Sequence, residues 1–266
     1  MKHDHDPSSD DAMRRLVAEA RDFARAPISR FGVGAVARGR SGALYLGANL
    51  EFAGAPLNAS VHAEQAAIAS AWAHDESGVT ALAASAAPCG HCRQFLNELR
   101  AAESLRILIL GRPPITLAEL LPEPFGPRDL QATARLMDPG AHPLTLEEPA
   151  AAADPLAAAA LTAAQGSYAP YSGTFSGVAL ALADGSTQTG RTAENAAFNP
   201  GLPPLQAALV GLAAAGTPYE AIRRAVLVEA AGPASQRGAT EALLAAVAPA
   251  ARLTYLRAVA ATATPR

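Results

Sequence analysis

The chain has 266 residues, half of them hydrophobic and 17% charged, a balance that suits one large or two ordinary globular domains and excludes a disordered chain. Lys and Arg number 21 against 24 Asp and Glu, a net charge of −3, so no basic excess is present to neutralise phosphates, and nucleic acid and anionic membrane are excluded as primary partners. Two cysteines are too few for a secreted disulfide framework, MKHDHDPSSDD carries no apolar signal stretch, and Asp154 and Pro155 interrupt the Ala-rich run 150–160 before it is long enough to span a bilayer, so the expectation is a cytoplasmic protein without a membrane helix.

In chain order, the polar start, His3 and His5 included, reads as a charged, mobile terminus. DAMRRLVAEARDFA then places Met13, Leu16, Val17, Ala20 and Phe23 at helical spacing behind an Asp11 able to cap. VGAVAR and ALYLGAN read as strands joined through GRSG. VHAEQAAIASAWA reads as a helix with Trp72 in the core, VTALAASA as a strand, CGHCRQFLNELR as a helix with Phe95, Leu96 and Leu99 on one face, and LRILIL as a buried strand. The order β-β-α-β-α-β predicts an α/β domain, a mixed sheet covered by helices, over residues 11–130. G-V-G-A with Ala37 satisfies G-x-G-x-x-A, but it begins a strand instead of joining strand to helix, which argues against a dinucleotide site.

Proline crowds residues 112–155, where ITLAELL reads as a helical turn or two, and 131–152 is the expected linker. Beyond it the pattern restarts. APYSGTFSGVALAL (169–182) echoes APISRFGVGAVA (26–37), and GRTAEN (190–195) echoes GANLEF (47–52), a duplication with a period of about 140 residues. The second domain, 153–266, carries no cysteine, so whatever the cysteine pair does belongs to the first.

Both cysteines lie in APCGHCRQF (87–95), and C-G-H-C suits either a redox dithiol or a metal clamp. Cys89 follows Pro88 at a predicted helix start, where a thiolate is favoured in either chemistry. The decisive company is H-A-E at His62–Glu64, also at a helix start. One helix and one strand separate Glu64 from Pro88, so the two helix N-termini are able to meet at one sheet edge and bring His62, Cys89 and Cys92 together. Three ligands, unlike a closed set of four, leave a position for water, and two thiolates with one imidazole are among the catalytic zinc combinations. Glu64, two residues from His62, is then placed to act on that water as general acid and base. A fourth ligand would block the water, so His91 is assigned to solvent or to the ligands' surroundings. Arg93 supports a cysteine sulfur or lies on the helix surface.

H-x-E…P-C-x-x-C is the zinc-deaminase signature, and the chain resembles the homodimeric, two-domain cytidine deaminases through RFGVGAVARG, GANLEFAGA, VHAEQAAIASAW, PCGHCRQFLNELR, FGPRDL, LMD and AENAAFNPGLPPLQAAL, in that order. The resemblance spans about residues 27–250. It implies one Zn²⁺ per chain on His62, Cys89 and Cys92, with Glu64 protonating N3 of cytosine while water activated on zinc attacks C4, and later delivering a proton to the departing ammonia. The implied reaction is hydrolytic deamination of cytidine and 2′-deoxycytidine to uridine and 2′-deoxyuridine, in pyrimidine salvage.

By the same resemblance, Asn49 and Glu51 hold the ribose 3′-hydroxyl, Phe31 packs on the pyrimidine, backbone groups of Ala63 and Ala87 bond the base edge, and Phe125 closes the pocket. The family commonly shows threonine where Ala87 stands; the contact is through the carbonyl, so the change is tolerated. The second copy is degenerate, with Pro203 and Leu205 where a ligand and the acid/base belong. The resemblance implies a homodimer, with AENAAF lining the other subunit's pocket. Alternatives are a thiol oxidoreductase, disfavoured because Pro88 precedes Cys89 and H-A-E goes unexplained, a zinc-stabilised binding module, disfavoured by three ligands, and a deaminase of nucleotides, nucleic acid or an aminopyrimidine antibiotic.

Overall fold

The structure, a computed structural model, describes residues 9–261; His3 and His5 lie outside the described residues. The chain divides into two compact units. The first comprises the chain through Glu51, Ser60–Asp138 and Asn195–Pro200, and the second Phe52–Ala59, Pro139–Glu194 and the chain from Gly201 onward. Among the described residues no helix is long and apolar enough to cross a membrane.

In the first unit, helix α1 (Asp10–Asp22) precedes strands β1 (Gly34–Gly39) and β2 (Leu44–Ala48), helix α2 (Ala63–Ala73), β3 (Val79–Ala84), α3 (Gly90–Leu96), β4 (Arg106–Ile109), β5 (Ile115–Thr116) and α4 (Leu117–Leu120). The sheet order is β2-β1-β3-β4-β5, with β3 and β4 parallel and the other neighbours antiparallel. Side chains alternate across a strand, and this sorts the helices. Leu44 and Leu46 pack with Val36 against Met13, Val17 and Ala20 of α1. Gly47 turns the other way, where a Cβ would lie 2.1 Å from the Ala67 nitrogen of α2. Helices α1 and α2 therefore cover opposite faces, and α2 lies so close that position 47 admits no side chain. Trp72 of α2 is buried.

The second unit repeats the plan. Strand β6 (Leu144–Leu146), helix α5 (Pro155–Gln165), β7 (Ser176–Leu182), β8 (Thr187–Arg191), α6 (Pro204–Ala214), β9 (Ile222–Ala230), α7 (Arg237–Val247) and β10 (Arg252–Ala260) follow in order. The sheet runs β6-β10-β9-β7-β8, with β9 and β10 parallel and the other neighbours antiparallel. Gly190 repeats Gly47, since its Cβ would lie 2.2 Å from the Pro204 carbonyl oxygen of α6. Leu156, Ala157, Ala160 and Ala164 of α5 pack on Ala179, Val226 and Val228. The fold is thus two mixed sheets covered by helices, one per half of the chain.

Four local expectations change. Helix α1 is capped by Ser9, whose Oγ accepts from Ala12 N at 3.2 Å, and Asp11 sits inside the first turn. Helix α3 ends at Leu96, not Arg100, because Leu99 is drawn into a bridge with Leu136 and Leu136 N donates to the Glu98 carbonyl. ITLAELL forms a two-residue strand before one helical turn, with Thr116 capping through Glu119 N at 3.3 Å. The expected linker 131–152 contains the boundary between the units and also a strand. The first unit extends to Asp138, and Leu144–Leu146 pairs with β10 as an edge strand whose two outer leucines are buried; the surrounding prolines hid that alternation.

Candidate active site

The register of the first sheet brings the start of β1 and the ends of β2 and β3 to one edge. Gly34 pairs with Ala48, and Ala35 with Ala84. Ser85 then locks the edge, its N–H donating to the Gly34 carbonyl at 2.9 Å and its Oγ accepting from Gly34 N at 3.1 Å. Leu50 and Val61 exchange backbone hydrogen bonds of 2.8 and 2.9 Å, which draws the residues before α2 to the end of β2. Three loops therefore meet at this edge: Ile28–Val33, Asn49–Glu51 with Val61–Glu64, and Ser85–Cys92.

His62 and Cys89 are the N-cap residues of α2 and α3, both with extended backbone. Each side chain leaves its helix at the end where backbone N–H groups favour negative charge. His62 Nδ1 lies 3.3 Å from Cys89 Sγ and 3.2 Å from Cys92 Sγ, and the two sulfurs are 3.7 Å apart and unbonded to each other. Zinc bond lengths in a tetrahedron place sulfur and nitrogen ligands about 3.6 Å apart and two sulfurs about 3.8 Å apart, so the triangle is sized for that ion. Among the described residues this is the one group of three His, Cys, Asp or Glu residues whose donor atoms converge within 4.8 Å.

Charge in the site makes the same point. Hydrogen bonding by Cys92 and His62 pulls the Cys89 thiol down to about 3. Its hydrogen bond to Cys89, burial and the nearby Glu64 carboxylate push the Cys92 thiol up. Glu64, 4% exposed, is raised by burial, and its Oε2 accepts from Cys92 Sγ at 3.2 Å. His62 is raised by the Cys89 sulfur. Two thiols and a carboxyl crowded together, with Cys92 and Glu64 buried and Cys89 at the exposed side, resist simultaneous ionisation, a conflict that a divalent cation relieves. The His62, Cys89 and Cys92 donor set therefore fits zinc, and Glu64 lies beside it.

The neighbouring residues have definite places. His91 stacks on the His62 ring with centroids 5.3 Å apart. Arg93 reaches neither sulfur; its Nε donates to the Pro88 carbonyl at 2.8 Å and its guanidinium to the Leu120 carbonyl at 2.8 Å, bracing the turn that carries Cys89. Ala63 is buried beside His62, and Ala87 is exposed two residues before Cys89. Asn49 Oδ1 accepts from Val33 N at 2.7 Å and its Nδ2 donates to the Phe31 carbonyl at 3.0 Å. Glu51 Oε2 accepts from the Ile28 and Ser29 amides at 2.8 and 2.9 Å, and Ser29 Oγ donates to Oε1. Phe31 is 61% exposed on the loop these two residues hold. Phe125 is also exposed, its carbonyl accepting from Gln94 Nε2 at 2.7 Å.

Sequence reasoning missed a set of buried polar residues behind the site. Gln65 Oε1 accepts from His62 N at 3.2 Å, and its Nε2 donates to the Pro200 carbonyl at 3.2 Å. Asn195 Nδ2 donates to the Gln94 carbonyl at 2.9 Å, and Ala196 N donates to Glu98 Oε1 at 2.8 Å. Asn195–Pro200, from the second repeat, is thus part of the first unit and ties to both α2 and α3. The only signal was the echo of GANLEF by GRTAEN, which marks where the repeats part, Phe52 against Asn195. In the second unit Pro203 is the N-cap of α6 as His62 is of α2, and Leu205, fully buried, stands two residues on.

Two family profiles, each described as the cytidine and deoxycytidylate deaminase zinc-binding region, match residues 7–107 and 117–241. Curated cytidine deaminases of Yersinia pestis and Yersinia pseudotuberculosis are 53% identical to the chain over 221 residues, 83% of this chain and 74% of each relative. Among solved structures, a cytidine deaminase from Mycobacterium tuberculosis is 32% identical, covering 44% of this chain and 96% of its own with a TM-score of 0.40. One from Burkholderia pseudomallei is 30% identical, covering 44% and 99%, also with a TM-score of 0.40.

Proposed function

Because this chain belongs to the cytidine and deoxycytidylate deaminase family, we propose that it hydrolyses the exocyclic amine of cytidine and 2′-deoxycytidine, releasing uridine or 2′-deoxyuridine and ammonia, in pyrimidine salvage. The observation that carries this reading is the convergence of His62 Nδ1 with both sulfurs, with the buried Glu64 carboxylate 3.2 Å from Cys92 Sγ. His62, Cys89 and Cys92 hold one zinc ion per chain, which when bound supplies the Lewis acidity that makes water a nucleophile near neutral pH.

The chain's own residues manage protons and placement. Glu64 takes a proton from the attacking water as its oxygen bonds to C4, and gives that proton to N3. It then carries the second water proton to the amine, the C4–N bond breaks, and ammonia leaves a C4 carbonyl behind. The low exposure of Glu64 keeps bulk water from competing for these transfers. Phe31 stacks on the pyrimidine, the Ala63 amide and Ala87 carbonyl read its polar edge, and Phe125 covers it. Asn49 and Glu51 bind the ribose 3′-hydroxyl.

The roles of the two halves follow. Residues 11–130 form the catalytic domain and the residues from 153 a degenerate copy without a metal site, since Pro203 and Leu205 offer neither ligand nor acid. We assign the protein to the cytoplasm as a homodimer, with AENAAF lining the other subunit's pocket; Phe198 of that segment is 73% exposed.

Ultraviolet absorbance on cytidine, deoxycytidine, CMP and a cytosine-containing oligonucleotide tests this reading. Turnover of the two nucleosides, with about one zinc per chain, is expected; turnover of only the nucleotide or the oligonucleotide, or of none, refutes it. The ribose contact gives a second expectation. A site built to bond a hydroxyl rejects the analogue lacking it by up to about 10⁴-fold, so 3′-deoxycytidine should lose several orders of magnitude in kcat/KM. Equal efficiency with cytidine removes the contact from Asn49 and Glu51.

A further inference from the structure

The two repeats hold one loop in the same way, although only the first carries the His62, Cys89 and Cys92 group. In the first, Arg25 N donates to the Asn49 carbonyl at 3.0 Å, Glu51 N to the Arg25 carbonyl at 2.7 Å, and Arg30 N to the Ala26 carbonyl at 3.0 Å. Glu51 accepts from the Ile28 and Ser29 amides and the Ser29 hydroxyl, and Ser29 Oγ accepts in turn from Phe31 N at 3.0 Å. In the second, Tyr168 N donates to the Thr192 carbonyl and Glu194 N to the Tyr168 carbonyl, both at 2.8 Å, and Gly173 N to the Ala169 carbonyl at 3.0 Å. Glu194 accepts from the Tyr171 and Ser172 amides at 3.0 and 3.1 Å and from the Ser172 hydroxyl, whose oxygen accepts from Thr174 N at 2.9 Å.

The copies differ in what the clamp carries. Where the second presents Thr174, buried, the first presents Phe31, 61% exposed. Where the second uses Gly173 at φ 69°, the first places Arg30 at φ 57°, a left-handed conformation that a side chain disfavours and that needs its surroundings to hold it. Asn49 has no counterpart, since Thr192 stands in its place and meets Ser176 at 2.5 Å. A Glu–Ser clamp kept in a copy whose helix starts with Pro203 is architecture and not a ligand contact of its own. In the first copy that architecture carries the aromatic.

We propose that Ser29 is a positioning residue for the reaction: by bridging the Glu51 carboxylate to the Phe31 amide, it fixes the left-handed turn at Arg30 and sets the Phe31 ring for the base. Glu51 then serves the loop as well as the sugar. The inference rests on the nucleoside reading above, because it assigns Phe31 a base to stack on. Loss of Ser29 weakens binding that ground state and transition state share, which raises KM and leaves kcat in place.

Ser172→Ala is the internal control, removing the same hydrogen bonds from the copy that carries no aromatic. For the zinc-loaded full chain, Ser29→Ala is expected to raise KM for cytidine about tenfold with kcat within about twofold of wild type. Ser29→Thr, which keeps the hydroxyl, restores KM. Ser172→Ala leaves both constants unchanged, while the two alanine variants lower Tm by similar amounts. Should Ser29→Ala be recovered only as insoluble protein, Ser29→Cys, which keeps the volume and weakens the bond, is measured in its place against the same outcomes. Loss of Tm without a rise in KM in an active enzyme overturns the positioning role and leaves the activity standing. Absence of cytidine turnover in the wild type overturns the activity reading and this inference with it.

Discussion

Glu64→Gln is expected to keep its zinc and lose turnover of cytidine by about 10²- to 10⁴-fold, the usual contribution of a positioned general acid and base. The substitution is isosteric, so the buried position that Glu64 fills on α2 stays filled, and the amide still accepts from Cys92. The missing property is the ability to take up and release a proton, on which both halves of the proposed reaction depend. The loss corresponds to about 3 to 5 kcal/mol of transition-state stabilisation. Metal analysis and steady-state kinetics on one preparation check it. Zinc near one per chain with kcat near zero supports the assignment, and wild-type kcat removes Glu64 from the chemistry.

Cys92→Ala should have the second large effect, on metal and stability together. Cys92 is fully buried where α3 meets the site, and alanine there offers neither a ligand nor the negative charge that offsets a cation. Zinc content is expected to fall from about one per chain to near zero, and cytidine turnover with it. A ligand bound only by the folded state stabilises it by about 4 kcal/mol at a thousand times its Kd, so wild-type Tm should fall on addition of a chelator. The variant's Tm, already low, should not respond. A variant that keeps a full complement of zinc, or a wild type whose Tm ignores the chelator, contradicts the ligand assignment. The same comparison separates a metal clamp from a redox dithiol, which would respond to reductant instead.

Much of the fold was legible because its signals are local. The apolar runs VGAVAR and ALYLGAN joined through GRSG, the helical spacing of Met13, Val17 and Ala20, and the unbroken LRILIL mark each element by residues close together in the chain, and the observed strands and helices follow them. The errors fall where a distant partner overrides a local preference. Helix α3 stops at Leu96 because Leu99 is claimed by Leu136, and no periodicity in CGHCRQFLNELR announces that. The strand Leu144–Leu146 was hidden for the same reason: its pairing partner, Ala258–Ala260, lies more than a hundred residues away.

The candidate site divides along the same line. Residue types at short spacing, H-A-E and C-G-H-C each at a helix start, specified by themselves the donor atoms and the chemistry open to them, because coordination and proton transfer depend on functional groups and on a few residues of local geometry. The sequence also declared the duplication and the loss of cysteine from its second half. Tertiary structure alone decided that His62 Nδ1 and the two sulfurs close to within 3.7 Å, that Arg93 braces a carbonyl instead of a sulfur, and that Asn195–Pro200 ties Gln65 to Glu98. Those facts come from sheet register and from hydrogen bonds between residues far apart in the chain, where the free energy of a contact depends on which partner folding delivers and leaves no periodic mark on either strand or helix.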